Sequence, residues 1–577
     1  MSKIIYLYSR NHDLNEVNRR KLLEICKQLT PDNIKSEAYH EICTDGQSAF
    51  GITMHNYDYH KIGNSILFGH LFEQEDANWH LPNSEFPDGN YVIFRNSKEY
   101  LEIVSDAAAT RTVWYYFDDD YFLASTSQRA IIMFLGSFDF NERVVPWMLS
   151  TGTLGPEFSW DRRIQRLQPA SAITLDKKKW MITKSSEEIC FSPVKKSRNK
   201  LADHIDKNIR ASVKKMNSLN LENWLLPLSG GYDSRALLCY LKEEITSYKK
   251  LKAVTWGMEK SFEEEGNDAK IAKDLANSIG IRHDSLYTDV SEEPIEKIVD
   301  RFILCGEGRI DHIAAYMDGM EIWRKFYEEG VKGVIRGDEG FGWSDVSSEL
   351  TARLNTGCAL CTDFRNLKKL YNLQDLPRQE LPDFLQKDEN ETVEQWRDRL
   401  YHSYRLPTVL SALSDIKFSY VDQLTPLLSA RILKAVRSLP DSCRTNKVLF
   451  KKIVESLAPD IPIATKSANA SPGEILKTKE MVQLMSDEFN SETVRSLFTE
   501  GFIEYVKNGM AKQDPTKDSE KKAGLVGKLK SFIPQKIRFW FQDMGVGPVL
   551  DGNKLAFRIF IIIRMHNILN KEKDLLH

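Results

Sequence analysis

No charge sign dominates this chain of 577 residues: 79 Lys and Arg stand against 82 Asp and Glu, a formal net charge of −3. The balance leaves no strongly basic face of the kind nucleic acid requires, so a nucleic-acid partner is not expected. Long apolar runs are missing as well. The most apolar late stretch, LAFRIFIIIRMHNIL, carries Arg558 and Arg564, and at about 15 residues it falls short of the roughly 20 that a bilayer span needs. It predicts a core or interface helix, and no membrane association. The opening MSKIIYLYSRNHD has neither the apolar region nor the small-residue cleavage site of a secretory signal, which predicts a cytoplasmic protein. Cysteines are few and scattered, eight in all, and are expected as reduced thiols. Cys358 and Cys361 form a CxxC, yet no second pair or nearby histidine completes a zinc site.

What is present is ordinary in bulk, with 42% apolar and 28% charged residues, and too long for one core. The texture changes near residue 195. Before it, YVIFRN, LEIVSD, TVWYYFD and YFLAST are short β-branched and aromatic runs separated by turn residues such as Pro87-Asp88-Gly89, which predicts antiparallel hairpins. An apolar helix over 141–152 follows. After it, LADHIDKNIRASVKKM has helical periodicity and WLLPL reads as a short buried strand. The helical RALLCYLKEE, the strand LKAVTWG, the helix NDAKIAKDLANSIG and a strand around HDSLYT complete an alternation that predicts a doubly wound parallel sheet. Residues 345–460 read as mostly helical, and the Lys-rich segment 511–530 as a loop between helices. The expected architecture is α/β: a β-rich sandwich over residues 1–195, then a parallel-sheet domain with a helical C-terminal part over 196–577.

The strongest local signal is Ser229-Gly230-Gly231-Tyr232-Asp233-Ser234, set between a strand and a helix. Glycines let backbone approach a polyanion, and the first N–H groups of a helix have no intrahelical partner. With the positive end of the helix dipole they form a phosphate cradle. Ser229 and Ser234 can donate hydroxyl hydrogen bonds to the same oxygens. Asp233 would repel phosphate unless a cation lies between them, which predicts Mg2+. The GxxxxGK[ST] and GxGxxG spacings are both absent. Pro227, unable to donate to a ladder, belongs at the strand's end.

SGGYDS resembles the pyrophosphate loop of the asparagine synthetase superfamily, including its lasso-peptide macrolactam synthetase and β-lactam synthetase branches. Asn267-Asp268-Ala269 with Ala272, Leu275, Gly280 and His283 is similar to the family's helix-to-strand passage. Gly337-Asp338-Glu339-Gly340-Phe341-Gly342-Trp343 resembles the GxDELFGGY segment. RLPTVLSALSDIKFSYVDQLTPLLSARIL and TNKVLFKKIVESLAPDIPIATKS resemble the two later motifs. Within the first half, PDGNYVIF, SDAAATRTVWYY and FLAST track the family's amino-terminal segments. There are departures too. Glutamine-hydrolysing members begin Met-Cys-Gly; here Ser2 and Lys3 follow Met1, and a serine hydroxyl is a poor substitute for that thiol. The resemblance therefore implies a degenerate glutaminase-like domain over 1–195. The family's G-E-G-x-D-E is shortened to Gly337-Asp338-Glu339, Asp422 stands where Glu is usual, and Leu424 replaces an arginine.

What the resemblance implies is an ATP-dependent, AMP-forming ligase that adenylates a carboxylate and then forms an amide. Ser229, Gly230, Gly231 and Ser234 would hold pyrophosphate; Asp233 and Asp338 would share Mg2+, with helix capping the alternative for Asp338. Backbone at Leu228 and Gly337, with Trp256 as stacking platform or core residue, would hold adenosine. Lys466, or less closely Lys447, would stabilise developing charge, and Asp422 or Glu339 would serve as general base. Arg235 would face phosphate or solvent. The substrate is a peptide or a small-molecule carboxylate. Loss of the glutaminase cysteine points to an internal amine, as in lasso macrolactam closure, which implies a precursor-processing protease or leader-binding protein as partner. Ammonia or a small amine is the alternative, and a non-catalytic scaffold of the same fold a third.

Overall fold

The computed structural model describes residues 3–54, 59–72, 78–370, 373–469, 471–510 and 547–576. Ser2 and the Lys-rich segment 511–530, for which a vanished nucleophile and a loop were expected, lie outside the described residues.

The amino-terminal strands form two six-stranded antiparallel sheets. One is ordered Gln165–Arg166, Trp114–Phe117, Tyr121–Ser125, Lys3–Ser9, Ser48–Met54, Tyr39–Asp45; the other Met181–Ser186, Ser171–Asp176, Tyr100–Ser105, Gly89–Asn96, Ser65–Leu71, His60–Ile62. The first strand shows how sequence sets the layers. Side chains alternate across a strand, so in KIIYLYS the residues Ile5 and Leu7 meet Leu22 and Ile25 of the helix Glu16–Gln28. Ile4, Tyr6 and Tyr8 face the second sheet, packing with its Phe68 and Phe94 and with Phe50 of their own sheet. The apolar helix expected over 141–152 is present as Val144–Thr151.

The second half is a five-stranded, wholly parallel sheet. Its order is Arg282–Tyr287, Lys252–Gly257, Trp224–Pro227, Gly333–Ile335, Asp422–Leu424. Numbered along the chain this is 3-2-1-4-5, the doubly wound arrangement, whose winding reverses between the first and fourth strands. The helices Tyr232–Glu244 and Asp268–Ile279 are its first two crossovers. Asn267 caps the second of these at its N-terminus, and Gly280 closes it at φ 76°. Pro227 ends its strand, as its missing N–H requires. The fifth strand, only three residues long, gave no sequence signal.

The antiparallel half is bolted to that fifth strand. Asp88 accepts from the Ser429 hydroxyl and the Ala430 amide, both at 2.6 Å, and Asn90 accepts from the Thr425 amide at 2.8 Å. Asp422 is ion-paired with Arg111 and, at 3.0 Å, with His70. The expected late helix spans Gly552–Glu572 and lies in the core: Arg558 donates to Asp311 at 2.7 Å and to the Leu149 carbonyl at 2.7 Å. Among the described residues no helix is long and apolar enough to cross a membrane.

Within 345–460 the helices are interrupted by a π-helical segment, Tyr401–Leu410, which accommodates Pro407 inside a helix. Arg397 and Asp398 ahead of it and Arg444 after it are fully buried, with Asp398 accepting from Arg397 Nε at 2.9 Å and Arg444 Nε at 2.7 Å. Removing one partner of a buried ion pair leaves uncompensated charge, at a cost of about 3–5 kcal/mol. Asp398→Ala is expected to lower unfolding free energy by about that amount, read as a reduced urea midpoint; a midpoint within error of wild type would refute the role of this triad.

Candidate functional site

The glycine loop leaves the carboxyl end of the sheet's first strand. The Leu228 amide continues the ladder to the Val254 carbonyl at 2.8 Å, and Thr255 Oγ1 donates to the Leu228 carbonyl at 2.8 Å. The loop then folds on its own side chains. Ser229 N–H donates to Ser234 Oγ at 2.9 Å, the two hydroxyls lie 2.8 Å apart, and the Gly230 amide donates to Asp268 Oδ1 at 2.9 Å. The helix begins at Tyr232 with Gly231 as its N-cap and no side chain capping it. Its first amides therefore remain available to an anion. A Cβ on Gly230 would stand 2.9 Å from both Ala464 and Ile271, so bulk is excluded there.

Opposite, the fourth strand delivers Gly337. A Cβ at this position would lie 2.8 Å from the Asp233 carbonyl carbon and 2.9 Å from the Ser234 nitrogen. Only glycine allows the two strand ends to approach so closely. The contact occurs at the winding reversal, where open α/β sheets bind ligands. It also brings Asp338 and Glu339 beside Asp233.

Each carboxylate here has a cation. Lys447 Nζ lies 3.1 and 3.0 Å from the two Asp233 oxygens and 2.6 Å from Glu339. Asp338 is held by Arg336 through two contacts of 3.1 Å. Burial pushes the Asp338 carboxyl up, but the Arg336 guanidinium outweighs it and the net shift is downward. Glu339 moves the other way: burial raises it against the pull of Lys447. Lys447 sits at φ 57°, directly after Asn446 at φ 56°. Two successive non-glycine residues in the left-handed region cost backbone energy, which the ion pairs around Lys447 offset.

The structure thus brings Ser229, Gly230, Gly231, Asp233, Ser234, Gly337, Asp338 and Glu339 to one end of the sheet, with Leu228 at the root. Trp256 ends the second strand half-buried, edge-on to Trp323 at 5.3 Å. Lys466 lies one link from the loop, its carbonyl accepting from the Asp268 amide at 3.0 Å, while its ammonium pairs at 2.8 Å with Glu264; Lys447 is the lysine paired with Asp233. Asp422 requires correction. It pairs in register with Gly333, at the amino end of its strand. Gly337 lies four residues further along, about 13 Å at the rise of a strand. Locked to Arg111 and His70, Asp422 holds the two halves together and cannot act as base at the loop. Arg235 is buried from solvent and donates to the carbonyls of Ile461 and Pro462 and, at 3.4 Å, to that of Gly230 in the loop.

Sequence reading missed two neighbours. Arg336 precedes the acidic pair by two residues, and Lys417 is buried near it, where burial and Arg336 hold its ammonium well below the usual lysine range. The second arrives from another element, and no local signal could have found it. Among the described residues no group of three or more His, Cys, Asp or Glu gathers as a ready metal site. Two carboxylates on adjacent strand ends nevertheless suit a magnesium ion that arrives with a nucleotide, because such ions take one or two protein carboxylates and complete their shell with phosphate and water.

Residues 205–340 match the family model described as asparagine synthase. No curated protein matches the chain. Solved structures with partial likeness include the allosteric regulatory enzyme of purine biosynthesis, 8% identical, covering 50% of this chain and 81% of that one, TM-score 0.22. Others are the U34-tRNA thiolase NcsA of Methanococcus maripaludis with its [4Fe-4S] cluster, 14% identical over 56% and 86%, TM-score 0.22, and the glutamine PRPP amidotransferase of B. subtilis complexed with ADP and GMP, 8% identical over 59% and 83%, TM-score 0.20. Scores this low support no argument about shared architecture.

The π-helical segment supports the acidic turn from behind. Tyr401 O–H donates to the Glu339 carbonyl at 3.2 Å; His402 Nε2 donates to the Gly340 carbonyl at 2.9 Å while its Nδ1 accepts from Arg437 Nε at 3.3 Å. Those partners fix a neutral imidazole, and burial together with Arg437 brings its pKa down to about 3 from 6.5. A depressed histidine contributes stability that is whole above pH 6.5 and is lost as pH falls toward 3, by up to about 1.4 kcal/mol per unit. His402→Gln should show a shallower loss of unfolding free energy over that window, by one proton's slope. Identical slopes in the two proteins would refute the neutral assignment.

Proposed function

With residues 205–340 forming an asparagine synthase domain of the asparagine synthetase superfamily, we propose that the chain is an ATP-dependent ligase that activates a carboxylate as an acyl-adenylate and closes a macrolactam in a peptide. A carboxylate oxygen attacks the α-phosphorus of ATP and the bond to pyrophosphate breaks. An amine then attacks the acyl carbon, and AMP leaves. The single observation that carries the reading is the contact of Gly337 with Asp233, which sets an uncapped helix N-terminus against an acidic turn.

In this assignment the hydroxyls of Ser229 and Ser234 and the amides opening the helix at Tyr232 receive pyrophosphate. Leu228, Trp256 and Gly337 border the adenosine. Asp233 and Asp338 would hold magnesium, which neutralises phosphate charge when bound with the nucleotide. Lys447, already beside Asp233, is the ammonium best placed to stabilise developing charge. Of the two carboxylates considered as general base, Glu339 alone stands at the loop. The peptide reading is favoured by the large cavity described below; a free acid with ammonia or a small amine remains the second reading.

Pyrophosphate exchange tests both. Label is expected to pass from pyrophosphate into ATP in the presence of an Asp- or Glu-bearing peptide, and Asp233→Ala should reduce the rate by at least about 100-fold, the scale of a lost transition-state contact. Exchange with free aspartate and none with the peptide would favour the second reading. Undiminished exchange in Asp233→Ala would overturn the phosphate assignment, and no exchange with any acid would leave the fold a scaffold.

A further inference from the structure

Away from the glycine loop, the junction of the antiparallel half and the helical part encloses a cavity of ≈ 1400 Å³. That exceeds the roughly 300–1,000 Å³ of a small-molecule pocket. Its walls include Gln165 and Arg166 together with Lys184, Ser185 and Ser186. These belong to the terminal strands of the two antiparallel sheets, Gln165–Arg166 and Met181–Ser186. Lys184 Nζ donates to Gln165 Oε1 at 3.0 Å across the gap. Phe158 bridges the outer side of Gln165, so the edge left open to this space is that of Met181–Ser186. Terminal strands carry backbone groups on their outer side without ladder partners, the template an extended peptide uses to add itself to a sheet.

The wall also holds a cation that forms no ion pair among the described residues. Arg166 is 6% exposed, yet its guanidinium meets only neutral acceptors: Thr408 Oγ1 at 3.0 Å, the Pro407 carbonyl at 3.4 Å and the Pro156 carbonyl. Among the described residues its Nε has no partner, and neither does Oε1 of the adjoining Gln168. Burial, with Arg309 nearby, pulls its pKa down to about 9 against the weaker attraction of Tyr404 and Glu157. A buried guanidinium is costly unless something negative pairs with it. The rest of the wall is mixed, with Phe158 beneath the Arg143 guanidinium at 4.4 Å, Phe384 on an exposed rim, and carboxylates that include Glu157, Glu187 and Glu188.

We propose that this cavity binds an extended peptide segment along the Met181–Ser186 edge, with a carboxylate of that peptide paired to Arg166. The cavity is coupled to the glycine-loop end through a single element. In the π-helical segment, Ser403 lines the cavity, while Tyr401 and His402 hold the carbonyls of Glu339 and Gly340. Arg166 grips the same segment at Pro407 and Thr408. A peptide seated here lies against the support of the acidic turn. The fate of the bound peptide rests on the ligase reading; its binding does not.

The test is fluorescence anisotropy without ATP, using the full chain and a fluorescein-labelled octapeptide pool randomised except for a central Asp, beside the same pool with central Asn. Saturable binding of the Asp pool is expected, at least tenfold tighter than the Asn pool and at least tenfold weakened by Arg166→Gln. Should Arg166→Gln lose its circular-dichroism spectrum, Phe384→Asp at the rim takes its place, with the same tenfold loss expected. Equal binding of the two pools, absence of saturation, or unchanged affinity in the folded variant would overturn the proposal. Because no nucleotide is present, failure of pyrophosphate exchange leaves this outcome standing, and failure here leaves the exchange result standing.

Discussion

The close approach of two strand ends is what the candidate site depends on. Where the sheet's winding reverses, the chain leaving the fourth strand lies against the first turn of the helix that follows the first strand, and Gly337 has no room for even a methyl group. Backbone on backbone at that distance fixes the separation of the phosphate-type loop from the acidic turn without any side chain to adjust it. Asp338 and Glu339 are positioned as a consequence. So is Lys447, whose ammonium joins Asp233 to Glu339. Any larger residue at 337 would drive the two elements apart and the carboxylates with them.

Around this contact the rest of the molecule acts as a brace. The π-helical segment holds the carbonyls of Glu339 and Gly340, and the buried Arg397–Asp398–Arg444 group ties the helix before it to the turn that leads to Lys447. Asp422, at the far end of the sheet, joins the two halves. A carboxylate that resembles a catalytic position in sequence has become a fastener, because its strand enters the sheet with Asp422 at the wrong end.

Much of this was legible in advance. Closely spaced β-branched and aromatic runs, giving way to an alternation of strand and helix, separated the antiparallel half from the parallel one, and NDAKIAKDLANSIG carried the second crossover helix. The loop Ser229–Ser234 announced its shape through its glycines and its place after WLLPL. The lysines were not legible: Lys447 and Lys466 sit in the same motif-like run, and each has acidic residues to pair with. What separates them is which acid the folded chain brings near, Asp233 for one and Glu264 for the other. Arg235 was ambiguous for a similar reason, since two of the three carbonyls it satisfies come from a loop more than 220 residues away.

Local chemistry wrote itself into the sequence wherever one segment suffices to express it. Strand alternation, helix caps, the glycine turn and the proline at a strand's end involve neighbours along the chain, and period and residue type reveal them. Tertiary structure decided whatever needs two distant segments: the partner of each lysine, the inversion of Asp422 from base to brace, and a cavity walled by terminal strands of two sheets. Pairing between segments far apart is selected by the packing of the whole, which no window of sequence contains.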